Sequence, residues 1–91
     1  MTIIVRIPGQ LRDTCGGARD LAVAAPTIAA ALNVIEEQYP LLYRNVCDET
    51  GTVRRHINVF INKSLVRGPE GLLAQLTPGD VVTIMTAVSG G

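Results

Sequence analysis

The fold is decided by the stretch Pro78-Gly-Asp-Val-Val-Thr-Ile-Met-Thr-Ala-Val-Ser-Gly-Gly91. Pro78-Gly79-Asp80 is turn chemistry: proline presets φ, glycine accepts positive φ, and aspartate hydrogen-bonds its own backbone. The run Val81 to Met85 behind it is β-branched and apolar enough for a buried strand. Near the other end of the sequence, Ile3, Val5 and Ile7 alternate with Ile4 and Arg6 until Pro8-Gly9 stops the run, which gives an opening strand. Two nearly continuous apolar runs of this kind predict that the first and last strands lie side by side, parallel, in the centre of one sheet.

Between them, Leu21 and Val23 alternate with Asp20 and Ala22, so residues 18–25 are expected to form a second strand in a hairpin with the first, across a loop at 10–17. Pro26-Thr27 opens a helix, with Thr27 as N-cap and Ile28, Ala31, Leu32 and Ile35 on one face; Tyr39-Pro40 ends it. Glu36 and Glu37 occupy its last turn, the unfavourable end of the helix dipole, either as a partner surface or as a solvated helix end. Residues 41–52 show no sustained period and are read as a connection, with Asp48-Glu49-Thr50-Gly51 as a turn. Ile57-Asn-Val-Phe-Ile61 is a strand between His56 and Asn62-Lys63. Gly68-Pro69-Glu70-Gly71 punctuates, and Leu72, Leu73 and Leu76 suit a short helical turn. The order strand, strand, helix, strand, strand is an α+β roll: a mixed sheet with one main helix on one face and the other face free for partners.

Composition narrows the function. The chain has 91 residues, eight basic and eight acidic, with 47% hydrophobic and 3% aromatic side chains. That is one domain, residues 1–86, followed by a tail at 87–91, with an aliphatic core and little surplus volume for a deep, water-excluding active site. Zero net charge and scarce aromatic rings argue against nucleic acid as a partner. No apolar run approaches the ~18 residues of a membrane span, and Met1-Thr-Ile-Ile-Val-Arg lacks the pattern of a secretion signal, so a cytoplasmic protein is expected. Cys15 and Cys47 are too few for a disulfide framework or a zinc site and are read as reduced thiols. HExxH, CxxC, GxGxxG and GxxxxGK are all missing, which removes the minimum parts of metal hydrolysis, dithiol exchange, dinucleotide binding and P-loop chemistry. Cys15, in Thr-Cys-Gly-Gly, is either a nucleophile with a base yet to be found or an inert thiol, and Cys47 reads as a small packed residue. Arg54-Arg55-His56 is either a basic patch for an acidic partner or a solvated start to a strand.

The tail Ala87-Val88-Ser89-Gly90-Gly91 carries the positive signal. Glycine lacks a Cβ, so a Gly-Gly end passes through a channel too narrow for other residues and leaves its carboxylate unshielded. Five residues from Ala87 reach at most ~17 Å, enough to enter another protein's active site. Lys63 is the single lysine among the eight basic residues, leaving few amines on the domain to capture an activated carboxyl.

Asn58-Val-Phe-Ile-Asn62, Leu76-Thr-Pro-Gly-Asp-Val-Val-Thr-Ile84 and the Ala87-to-Gly91 end together resemble the ubiquitin-like sulfur-carrier family, MoaD and ThiS, over the whole chain. Length and the His56-to-Asn62 segment most resemble the CysO-type carriers of cysteine biosynthesis. Ser89 stands where family tails usually have alanine, a replacement small enough to thread. The resemblance implies a β-grasp fold and a non-enzymatic carrier with no bound cofactor. Gly91 is then adenylated by a partner of the ubiquitin-activating type, which supplies ATP and magnesium, and converted to a thiocarboxylate for a sulfur-accepting biosynthetic enzyme. Ala87, Val88, Ser89 and Gly90 become partner-binding residues. Three other readings stand beside it: the small subunit of molybdopterin synthase, a protein modifier joined through Gly91 to lysines, and an interaction module with an idle tail.

Overall fold

A computed structural model describes residues 2–87. Its sheet has the order β2-β1-β5-β3-β4, built from β1 (Ile3–Arg6), β2 (Asp20–Val23), β3 (Ile57–Ile61), β4 (Ser64–Val66) and β5 (Val81–Thr86). The two central strands are the first and the last and they run parallel, Val5 opposite Val82. β2 and β3 flank them antiparallel, with Val5 opposite Leu21 and Val59 opposite Ile84. Helices α1 (Ile28–Gln38), α2 (Pro40–Val46) and α3 (Gly68–Leu72) complete the fold, which is the α+β roll that the sequence predicts.

Alternation along the strands sends Ile3, Val5, Leu21, Val23, Ile57, Val59, Val82 and Ile84 into the core. The helix layer meets them with Ile28, Ala31, Leu32 and Ile35 of α1 and Leu42 and Val46 of α2. Every buried side chain among the described residues is aliphatic or a cysteine, and none is polar. Each buried branched side chain contributes about 1.5–3 kcal/mol. Thr27 caps α1 as expected, its Oγ1 accepting the Ala30 N–H at 3.1 Å.

Four elements differ from expectation. The supposed loop after β1 is a 3₁₀ turn, Gly9–Cys15, which buries Leu11 and Cys15 and stops at Gly16 with φ 70°. Residues 40–46, read as connection, form α2: Pro40 sits in its first turn, where the missing N–H costs nothing, and Leu42 and Val46, one turn apart, are both 0% exposed. Two anchors in seven residues are too few to reveal a period in sequence. β4 went unread because three residues of edge strand carry little pattern; its register, Ile61 opposite Ser64, is set by the turn at Asn62, whose φ of 55° asparagine tolerates. The helical turn expected over Leu72 to Leu76 lies earlier, in α3, and Leu76 is buried beyond it with its N–H bonded to Pro26 O.

β5 is set in register by a polar clasp at its start. Asp80 accepts the Thr77 N–H through Oδ2 at 2.9 Å and the Asn62 side-chain amide through Oδ1 at 3.2 Å. Asn62 Oδ1 accepts the Val81 N–H at 3.1 Å, and its own N–H donates to Val81 O. The Thr77 N–H, then the Asn62 amide, hold the Asp80 carboxyl below its usual value. The same turn is tied to β1, whose Ile4 N–H donates to Asp80 O at 3.0 Å.

Leu42→Ala should cost about 2–5 kcal/mol in chemical denaturation, whereas Leu41→Ala should cost under ~0.5 kcal/mol, because Leu41 is 57% exposed. A carboxylate with a depressed folded pKa stabilises above its unfolded value, near ~3.9, and loses that contribution as pH falls through the folded value. Asp80→Ala should therefore lower Tm at neutral pH, and the gap from the unsubstituted protein should narrow as pH is brought below about 4. Thermal melts across that range measure both.

Candidate partner-binding site

β5 divides its residues between two jobs. Val82 and Ile84 face the helices, while Val81, Thr83 and Met85 face the other way, where no helix lies. On the same open face β3 presents Asn58 and Phe60, β1 presents Ile4 and Arg6, and β4 presents Leu65, by their alternation with buried neighbours. Phe60 lies between Thr83 and Leu65, Met85 is opposite Asn58, and Ile4 is opposite Val81. Leu65 is 39% and Met85 49% exposed. The polar end of this face is the Arg6–Asp20 pair at 3.3 Å, both side chains solvated. An apolar stripe with a charged border is the pattern of a protein-binding surface. The strand reading of Ile57–Ile61 passes over it; the signal there is Phe60, at a position that an ordinary one-sided strand would fill with a polar residue.

The stripe leads to the tail. Thr86 pairs with Ile57, and the exposed Ala87 still donates its N–H to His56 O at 2.6 Å. Of the predicted tail residues Ala87 is thus fixed at the end of the sheet, and Val88, Ser89, Gly90 and Gly91 lie outside the described residues. Lys63 lies in the turn between β3 and β4, at the opposite end of the sheet from Ala87.

Neither thiol belongs to this surface. Cys15 is buried, its Sγ 3.5 Å from Arg12 O and 3.6 Å from Ala18 O, so the glycine loop that follows it does not expose it. Cys47 is 1% exposed. Burial pushes its thiol up to about 11, against the opposing hydrogen bond from Tyr43 and the charge of Arg54. Neither sits in the electropositive, open setting of a reactive cysteine. Among the described residues no three His, Cys, Asp or Glu side chains come together as metal ligands, and no helix is long and apolar enough to cross a membrane.

Comparison with known proteins agrees with the fold. Residues 5–91 match the ThiS family. The sulfur carrier protein CysO of Mycobacterium tuberculosis is 32% identical over 93 residues, covering 100% of both chains, and its crystal structure superposes with a TM-score of 0.84 at 31% identity over 94% of this chain and 99% of that one. The crystal structure of the BexX/CysO complex of Amycolatopsis orientalis gives 0.80 at 33% identity, covering 98% and 99%. The solution structure of small archaeal modifier protein 1 of Methanosarcina acetivorans gives 0.81 at 27%, covering 99% and 96%. A five-stranded mixed sheet with first and last strands paired at its centre, helices on one face, and similarity to these proteins along its full length make this chain a member of the ThiS family of ubiquitin-like, β-grasp sulfur carriers.

Proposed function

We propose that this protein is a sulfur carrier that acts in the cytoplasm in the biosynthesis of cysteine or a related sulfur metabolite, with the Gly91 carboxyl as its reacting group. The observation that carries this reading is the full-length similarity to CysO, in a chain whose tail reads Ala87-Val-Ser-Gly-Gly91. A carboxylate is a poor acyl donor. An oxygen of the Gly91 carboxylate attacks the α-phosphorus of ATP, pyrophosphate leaves, and the resulting acyl-adenylate has an electrophilic carbonyl. Sulfide then adds at that carbonyl and AMP departs, leaving a thiocarboxylate. Orientation of ATP, its magnesium and the charge stabilisation of the phosphoryl step fall to a partner adenylyltransferase. This chain contributes the threadable end and the docking stripe of Phe60, Leu65 and Met85. A second enzyme takes the sulfur.

Burial of both thiols supports the assignment of the carried sulfur to the chain end, since a competing persulfide site requires an accessible thiolate. The likeness to small archaeal modifier protein 1 favours a second reading, attachment of Gly91 to amines on other proteins. The position of Lys63, at the far end of the sheet from Ala87, disfavours self-attachment in either case.

Intact-mass analysis after incubation with the activating enzyme, ATP, magnesium and sulfide should show one oxygen exchanged for one sulfur, and deletion of Gly91 should abolish the change. Phe60→Glu should reduce loading by about tenfold or more while Tm stays near that of the unsubstituted protein, as burying an unpaired carboxylate in an interface costs at least ~1.4 kcal/mol. Loading of the Gly91 deletion, or conjugates in place of thiocarboxylate, contradicts the carrier reading. In the folded protein neither cysteine should react with a thiol reagent over hours, and both should react promptly in denaturant; stoichiometric native labelling would move attention back to Cys15 or Cys47.

A further inference from the structure

The Arg54-Arg55 pair does more than open β3. A cavity of about 470 Å3 lies between the inner side of the β3–β4 ribbon, α3 and the segment 50–55. Val53, Ile57, Val59, Val66 and Leu72 give it apolar walls. Arg54, Arg55 and, just before α3, Arg67 also line it, and no acidic side chain of the described residues does. Such one-sided charge stands out in a chain whose formal charge is zero.

Of the neighbouring carboxylates, Asp48 is held low first by its hydrogen bonds to Thr50 and Thr52 and then, to a smaller extent, by the charge of Arg54. Asp48 accepts the Thr50 and Thr52 N–H groups and the Thr50 hydroxyl. The Glu70 carboxylate lies over Gly68, where an added Cβ would be 2.9 Å from Oε2. Among the described residues none of the three arginines has a carboxylate within ion-pair distance, the one ion pair there being Arg6–Asp20. Arg54 is steadied by donation from Nε to Arg44 O at 2.8 Å, which leaves the outer N–H groups of its guanidinium for an anion.

Position identifies the occupant. Ile57 lines the cavity and is also the residue opposite Thr86, one position before Ala87. Arg55 lines it too and is next to His56, whose O accepts the Ala87 N–H, so an enzyme that receives the tail comes close to the cavity wall. We infer that the cavity is a second docking point for the tail-activating enzyme, taking a segment of it in which an apolar side chain is flanked by Asp or Glu. This inference rests on the sulfur-carrier reading.

A free small anion fits less well, because exposed guanidinium groups add only up to about fivefold in affinity each. A segment already held by the tail and the open sheet face meets them at an effective concentration in the ~mM range, where such increments accumulate. Apolar walls select the inserted side chain, and the arginines steer approach and fix orientation. The absence of an aromatic ring in the lining removes the stacking surface that a nucleotide base would use.

The test is calorimetric binding of the full chain to its activating enzyme at low and high salt. The double variant Arg55→Glu/Arg67→Glu leaves the Arg54–Arg44 contact in place, and the triple variant adds Arg54→Glu. Either should bind at least about tenfold more weakly at low salt, with the difference shrinking at high salt, and the double variant should leave Tm unchanged. Leu72→Ala should weaken binding at both salt concentrations, because the loss is apolar. Unaltered affinity of both arginine variants, alongside weakened binding of Phe60→Glu, overturns the second docking point and leaves the carrier reading intact. Absence of binding by the unsubstituted protein overturns both.

Discussion

The parallel pairing of β1 with β5 is the contact on which the rest of the structure depends. It joins residues 4–6 to 81–83, so it forms only after nearly all of the chain has been laid out. Both strands are flanked on each side and covered by helices on one face, which is why Ile3, Val5, Val82 and Ile84 are almost completely buried. A parallel neighbour needs a crossover, and the chain between supplies it as β2, α1, α2, β3, β4 and α3. The direction of β5 then fixes where the tail leaves: beside His56, at the end of the sheet away from the Asn62-Lys63 turn. Ala87, the last described residue before the proposed reacting end, is thus placed by the central pair of strands.

Burial of apolar sequence explains which elements were legible before the structure. β1, β3, β5 and α1 each carry several apolar positions at one period, so the pattern repeats often enough to be read. The capping of α1 by Thr27 follows from a single residue type at a boundary. α2 fixes itself with Leu42 and Val46 alone, and its start at Pro40 resembles a helix stop because proline ends one helix and opens the next. β4 exists through its pairing with β3. Such elements are products of tertiary contact, and a scan for local period passes over them.

The site divides along the same line. The Gly-Gly end, the proposed reacting group, stands out in sequence through residue type alone, the loss of every Cβ near a carboxylate. The proposed docking stripe is not local: Phe60, Leu65 and Met85 come from three strands and become neighbours only through sheet register. Arg67 joins Arg54 and Arg55 for the same reason, brought by α3 to a cavity that no single segment encodes. Cys15 is the reverse case, a residue made conspicuous by glycines that the fold buries behind a 3₁₀ turn.

The central claim is that the carried sulfur sits on the chain end and not on a side chain. Fragmentation mass spectrometry of the protein isolated from its own cells, without reconstitution, tests this most directly by locating any added sulfur along the sequence. The account predicts that the sulfur is confined to the fragment ending in Gly91. Sulfur found instead on fragments containing Cys15 or Cys47, with an unmodified terminal carboxyl, would contradict it.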